Sequence, residues 1–206
     1  KPAVDPLGRH VGMDLNDPGF ALPDKRTMSR LWRLWTPKEQ KIIGRLDSPG
    51  KIQEYLDSIT YDPADAIFSV RETLKTGRAH CFGSSLVAYY ALSRLGYECA
   101  LLGFDAVNDD GHAICVFRER GAFGYLFGAV SKSNYTTLRS RDCVYASLRE
   151  LVMSYFDFHF NLPRGEKTMT EWMGPFNAWQ ITDPKFGWAW LFSDKDISDL
   201  EDKFDE

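Results

Sequence analysis

The sequence predicts an α+β domain in which one buried helix packs on an antiparallel sheet, with additional helices ahead of it. Three observations carry this. From Cys81 to Leu95 there is one formal charge, Arg94, and apolar or small residues occupy every face of a helical wheel; a helix apolar all round belongs in a core. After Gly96 three apolar segments follow in close succession, separated by short turns rich in Asn, Asp and Gly, the order expected of strands joined as hairpins. Ahead of Cys81, Thr36-Pro37-Lys38-Glu39, Ser48-Pro49 and Ser69-Val70-Arg71-Glu72 each read as a helix start, with a capping hydroxyl before proline or three residues before glutamate.

Taken in order, residues 1–28 carry Pro2, Pro6, Pro18 and Pro23 with Gly8, Gly12 and Gly19 and show no helical or strand period, so they read as an extended arm. The apolar group Leu31, Trp32, Leu34 and Trp35 comes next, then a helix from Thr36 to about Leu46 and another through Ile52, Tyr55, Leu56 and Ile59. Ile59 to Pro63 is a turn-rich connection. The helix opened at Ser69 ends near Gly77 and delivers the chain to Cys81; Gly77 and Gly96 stand where helices close in the left-handed conformation. Glu98 to Val107 is a strand, closed by the turn Asn108-Asp109-Asp110-Gly111. His112 to Phe117 is a near-continuous apolar run, as expected of a strand covered on both faces. Gly121 to Gly124 turns into a third strand, Tyr125 to Val130. Residues 131–141 are polar and irregular, and Ser147-Leu148-Arg149-Glu150 opens a helix carrying Leu151, Val152, Tyr155 and Phe156. From Asn161 onward the chain is rich in Trp, Gly and Pro without a clear period, and Trp172, Trp179, Trp188 and Trp190 read as core or lid packing. The chain thus divides into an arm (1–28), a domain (29–192, core about 51–167) and an acidic, solvated tail (193–206). It contains no internal repeat.

The formal charge of −4 gives no reason to expect nucleic acid or an anionic membrane as partner. No apolar run reaches spanning length. The four cysteines, Cys81, Cys99, Cys115 and Cys143, form no dense framework; three read as buried thiols, which suggests a reducing, cytoplasmic compartment. Because the chain begins at Lys1, it reads as a processed product, leaving room for a removed targeting segment.

The chemistry centres on Cys81. Unpaired N–H groups and the positive end of the dipole collect at the first turn of a helix, which favours thiolate over thiol. His112 opens the second strand after that helix, and in a compact helix–sheet layer the two ends can lie side by side as nucleophile and base. A thiol with a pKa near about 8.5 is only a few per cent ionised at pH 7; a helix terminus and a histidinium can lower it by roughly two units. The plain alternative is a buried structural thiol and an exposed turn histidine. A zinc site is a second alternative, since His80, Cys81, His112 and Cys115 are all possible ligands. Against it, Cys115 lies three residues past His112, so the two should face opposite sides of a strand, and adjacent His80 and Cys81 lack the usual gap. No metal is expected. His159, within Phe156-Asp157-Phe158-His159-Phe160, reads as packed, and Lys132, Arg139 and Arg141 either meet a substrate carboxylate or form a solvated basic loop.

Gly77-Arg78-Ala79-His80-Cys81 opening an apolar helix, Asp110-Gly111-His112-Ala113 opening a strand, and an aromatic-rich strand ending in a polar loop together resemble the transglutaminase-like superfamily of papain-type cysteine enzymes. The run Gly128-Ala129-Val130-Ser131-Lys132-Ser133-Asn134-Tyr135, and the later Leu148-Arg149-Glu150-Leu151 with Ser154-Tyr155-Phe156, is similar to a bacterial group of transglutaminase-like proteins. The likeness covers roughly residues 51–167 and implies a papain-like core with Cys81 as nucleophile and His112 as general base. That superfamily places an aspartate, sometimes asparagine, at the start of the third segment to orient the imidazole. Here the matching position falls on or near Ser131, with Asn134 three residues later. Serine can hold a ring nitrogen but cannot stabilise an imidazolium as a carboxylate does; Asn134 would give a Cys-His-Asn arrangement and is slightly preferred. The Cys81 N–H would supply part of an oxyanion hole, with Tyr61, His80 and Asn134 as second donors by position. The resemblance implies acyl transfer through a thioester, from a peptide or small amide or ester substrate to water or an amine, with no cofactor. The missing carboxylate motivates the alternative of a catalytically impaired module that holds a peptide or protein partner.

Overall fold

The computed structural model describes residues 18–63, 66–162, 164–181 and 187–200. Along the chain run α1 (Lys25–Trp32), α2 (Pro37–Ile43), α3 (Pro49–Ser58), β1 (Thr60–Tyr61), α4 (Val70–Thr76), β2 (Arg78–Ala79) and α5 (Cys81–Leu95). They are followed by β3 (Glu98–Ala106), β4 (His112–Gly121), β5 (Gly124–Val130), β6 (Arg141–Tyr145), α6 (Leu148–Phe156), β7 (Phe160–Asn161), β8 (Glu166–Lys167), β9 (Met169–Phe176) and α7 (Ala189–Phe192). The protein is a mixed α+β fold whose main sheet has five antiparallel strands in the order β6-β5-β4-β3-β9.

Side-chain parity on this sheet makes three layers. Leu101, Ala113, Cys115, Phe117 and Val130 face one way and share a core with α5 and the helices around it. Ala100, Leu102, Phe104, Ile114, Val116, Phe127 and Ala129 face the other way and meet Leu148, Leu151, Val152 and Tyr155 of α6. As its unbroken apolar run predicted, β4 is buried on both faces from His112 through Arg118. Every residue of α5 from Cys81 to Ser93 is buried. Its end comes at Gly96, at φ 90°, where the N–H turns back to the Leu92 and Ser93 carbonyls.

The predicted helix starts hold, with differences in how they close. Thr36 and Glu39 make the full reciprocal box. Ser69 and Ser147 each accept the N–H three residues on, but Glu72 turns to Lys75 and Glu150 reaches back to the N–H of Ala146. The helix from Thr36 closes at Ile43, three residues short of Leu46.

Larger differences lie at the ends and edges. Residues 18–28 are not extended throughout: Pro18–Phe20 is a 3-10 turn, and Asp24 caps α1. Phe20 is buried edge-on against Phe127, under the Arg118 guanidinium. One aromatic anchor leaves no period to read. Residues 1–17 lie outside the described residues. The Trp-rich region supplies β9, which pairs with β3 through two register shifts; those shifts erase the alternation that would mark a strand. The region read as an acidic tail is packed as far as Leu200: Ile197 and Leu200 are buried, Asp196 accepts the N–H of Ile67 at 2.9 Å, and the Ile197 N–H returns to the Ile67 carbonyl at 3.0 Å. Residues 201–206 lie outside the description. No helix among the described residues is long and apolar enough to cross a membrane.

Trp190 closes this core. It is fully buried, 4.8 Å from the Trp179 ring and 5.8 Å from Tyr89. Trp190→Ala is expected to lower the unfolding free energy by about 3–5 kcal/mol, as for other large cavities, read as an earlier urea midpoint at unchanged slope.

Candidate active site

The approach to Cys81 is fixed by backbone. Gly77, at φ 66°, ends α4 and turns the chain into β2, which pairs in parallel with β1, Thr60 beside Arg78 and Tyr61 beside Ala79. The Arg78 guanidinium lies 3.2 Å from the buried Asp62 carboxylate. This short clamp holds two side chains against the start of α5. Tyr61 and His80 lie 5.8 Å apart, ring to ring. The Tyr61 phenol is pushed up to about 12 by burial, with the charges of Cys81 and Asp110 adding to it.

Cys81 is the first residue of α5 and is 3 % exposed. Its Sγ lies 3.5 Å from Nδ1 and 3.6 Å from Nε2 of His80. His80 occupies the cap position but makes no side-chain cap, whereas α1, α2, α3, α4 and α6 are capped by Asp24, Thr36, Ser48, Ser69 and Ser147. The residue type that normally satisfies a helix start is replaced here by a ring that lies against the sulfur.

His112 sits as expected at the strand end beside α5: the Ser85 hydroxyl, one turn into the helix, donates to the Ala113 carbonyl at 3.0 Å. Its side chain, however, belongs to the opposite layer. Ala113 and Cys115 pack with α5, so His112 projects to the α6 side, with the rings of Phe104, Tyr155 and His159 at 6.2, 6.3 and 6.4 Å. Nε2 donates to the Leu138 carbonyl at 2.8 Å. A carbonyl only accepts, so in the neutral ring Nδ1 is the basic nitrogen. Burial pushes the His112 pKa down to about 3; the Leu138 bond opposes this, and His159, His80 and Arg141 reinforce it.

Ser131 meets the same carbonyl. Its hydroxyl is shared between Leu138 O at 2.9 Å and Arg139 O at 3.0 Å. Gln53 of α3 clamps its backbone on both sides, accepting from the Ser131 N–H at 3.2 Å and donating to the carbonyl at 2.9 Å. Asn134, three residues on, is exposed. The basic residues of this loop are engaged in the fold. Lys132 is buried and donates to the Leu56 and Ile59 carbonyls, both at 2.6 Å, and burial lowers its pKa. Arg139 pairs with Asp57 at 3.1 Å, and Arg141 bonds Ser154 and stacks 3.8 Å from the Tyr155 ring. His159 is buried beside Phe104, as its aromatic setting suggested, with its pKa lowered by burial.

Cys81, Cys99, Cys115 and Cys143 form no disulfide with one another. Burial raises the pKa of Cys115 and pushes that of Cys143 to about 11. His112 and Cys115 lie on opposite faces of β4, and among the described residues no group of three or more His, Cys, Asp or Glu side chains could hold a metal. Sequence reasoning missed three groups: the His80 ring as the sulfur's neighbour, the Leu138 carbonyl as the partner of His112, and Gln53. A histidine where a cap is expected, and a lone amide on the buried face of α3 beside Ile52 and Leu56, were the available signals for two of them. A backbone carbonyl leaves none.

No family model and no curated protein matches the sequence. Among solved structures, the chain is similar to one from Cytophaga hutchinsonii that carries the name putative cysteine protease, at 13% identity and a TM-score of 0.37, over 60% of this chain and 44% of that one. The chain therefore spans less than half the length of that protein. A likeness at this level bears on neither the site nor its reaction.

The buried histidines make stability acid-sensitive. His112 stays neutral in the fold down to about pH 3, while in the unfolded chain it titrates near 6.5. As pH falls below about 6.5 the unfolded state takes up a proton that the fold refuses, and His159 acts in the same direction. Stability is lost from about pH 6.5 toward 3, at up to about 1.4 kcal/mol per pH unit for each histidine. Urea midpoints at pH 7, 6 and 5 should fall progressively, and His112→Gln, which can still donate to Leu138, should flatten the trend.

Proposed function

We propose that the chain is a cysteine-dependent acyl-transfer enzyme of the papain-like, transglutaminase-like type, in which Cys81 attacks an amide or ester carbonyl and carries the acyl group as a thioester. One observation carries this reading: a thiol at the first residue of a long buried helix, in contact with an imidazole. The helix start favours thiolate and developing negative charge alike. Tyr61, kept protonated by its raised pKa, is a better-situated second oxyanion donor than the exposed Asn134. Hydrolysis and transamidation share every step up to the thioester, so water or an amine completes the cycle. The resemblance in the sequence supports a peptide, a glutamine side chain or a small amide as substrate.

A specific observation favours the second reading, a module that binds a peptide without turnover. His112 is held by a backbone carbonyl rather than a carboxylate, with its pKa far below neutrality. A base of that kind stabilises an imidazolium poorly.

Acyl trapping separates the two. Brief exposure of the native chain to an activated ester should leave one acyl group on Cys81, located by peptide mass spectrometry and absent in Cys81→Ser. At pH 6, iodoacetamide should label Cys81 at least about tenfold faster than Cys99, Cys115 or Cys143, as a lowered thiol pKa requires. Labelling no faster than that of a model thiol would leave only the binding module.

A further inference from the structure

The formal charge of −4 hides a local excess of the opposite sign. Between Asp24 and Leu46 the chain carries seven cations and two carboxylates. Arg26, Arg30 and Arg33 stand at i, i+4 and i+7, one row along α1 and its C-cap, with Lys25 beside them. Lys38 and Lys41 stand one turn apart on α2, and Arg45 follows in the turn that closes it. All seven are exposed, and none has a side-chain hydrogen bond or ion pair among the described residues. Both carboxylates are spent inside the fold. Asp24 accepts two N–H groups and the Thr27 hydroxyl at the start of α1, and Glu39 pairs with Arg71. The cations, four of them the arginine that forks onto phosphate, face outward without a counter-charge.

Beside this row lies a cavity of about 290 Å³, near the lower limit for small-molecule sites, walled by Leu22, Pro23, Asp24 and Thr27 and by Trp179 and Trp188. Thr27 stands three residues before Arg30, so cavity and basic row adjoin on one helix. The two indoles lie 5.9 Å apart at 64°. Trp179 is fixed by its Nε1 bond to the Ser93 hydroxyl at 3.1 Å, while Trp188 is 38 % exposed. Asn177, also in the wall, spends its oxygen on Tyr89 and Trp179 and its amide on Ala21. The cavity thus offers ring faces more than hydrogen bonds. We propose that the outer face of α1 and α2 docks a single-stranded nucleic acid, its phosphates on the basic rows and one base in the cavity against Trp188 and Trp179. An unpaired base is flat, stacks whatever its edge carries, and comes attached to phosphates. An anionic membrane finds little to bind beyond charge, because Leu31 and Ile43 turn into the core and Leu34 is the one large apolar side chain exposed on these helices. An acidic protein matches the charge and leaves the cavity unused.

The test is fluorescence anisotropy of a labelled mixed-sequence single strand of about 12 nucleotides, titrated with the native chain between about 50 and 200 mM salt. The matching duplex, polyglutamate and phosphatidylserine vesicles serve as comparison probes. The strand should bind more tightly than the duplex and quench the tryptophan emission. Its log affinity should fall with log salt at a slope of about −2 to −4, as three to six phosphate contacts require. Replacing Arg26, Arg30 and Arg33 together by Gln should weaken binding at least about tenfold and cut the slope by about 2. Trp188→Ala should cost about fivefold or more at an unchanged slope. Trp188→Phe, which keeps a ring, should retain most of the affinity, and thermal melting establishes that each variant folds. Duplex bound as tightly as the strand, or arginine variants with native affinity and slope, would overturn the proposal. So would capture of the vesicles or of polyglutamate in preference to the strand, and so would binding of none of the probes, which would leave a solvated basic face.

Discussion

A helix without a solvent face must be enclosed on every side, and α5 is such a helix. β3 and β4 cover one side through Leu101, Ala113, Cys115 and Phe117. The remaining sides need other segments, which explains why the chain on both flanks of the core returns to it. Trp35 from the N-terminal helices and Trp179, Trp190 and Leu191 from the C-terminal region all pack in the cluster built on α5. Two polar side chains carried into this shell find partners across it: Trp35 Nε1 donates to the Tyr90 hydroxyl at 2.6 Å, and the Tyr89 hydroxyl donates to Asn177 Oδ1 at 2.7 Å, whereas the buried Trp190 Nε1 meets no acceptor among the described residues. Asn177 in turn donates to the Ala21 carbonyl. The segment at Ala21 and the segment after β9 are therefore joined through one amide lodged against the middle of α5.

This enclosure holds the N-terminal end of α5 rigidly in place. Thirteen buried residues anchor the helix, so Cys81 has little freedom beyond its own χ1. A second network steadies the far wall. Gln53 and Lys132 join α3 to the loop after β5, and the Leu138 carbonyl gathers Ser131 and His112. Lys132 is costly to bury and is retained because its ammonium satisfies two carbonyls at the end of α3. Lys132, Arg139 and Arg141, which the sequence offered as contacts for a substrate carboxylate, are engaged in building this wall.

Where local rules govern, the sequence was legible. The caps at Thr36, Ser48, Ser69 and Ser147, the left-handed glycines at 77 and 96, and the burial of β4 all follow from short-range chemistry. β9 and the segment around Ile197 were hidden because their order comes from pairing with distant partners, β3 and Ile67. The site was half legible. That Cys81 begins the helix and that His112 begins the neighbouring strand could be read directly. Which way His112 points could not, because one residue of register exchanges the two faces of a strand.

That register is held by packing on both faces of β4. The β3–β4 pairing runs from Glu98 opposite Arg118 to Phe104 opposite His112, leading into a turn that has Asn108 at φ 54°. In this register small Ala113 and Cys115 lie under α5, and the bulkier His112, Ile114 and Val116 meet α6. A shift by one would drive Ile114 and Val116 against the helix and leave Cys115 and Ala113 to fill the α6 side, with clash on one face and voids on the other. Packing of the sheet therefore decides to which layer the His112 ring belongs.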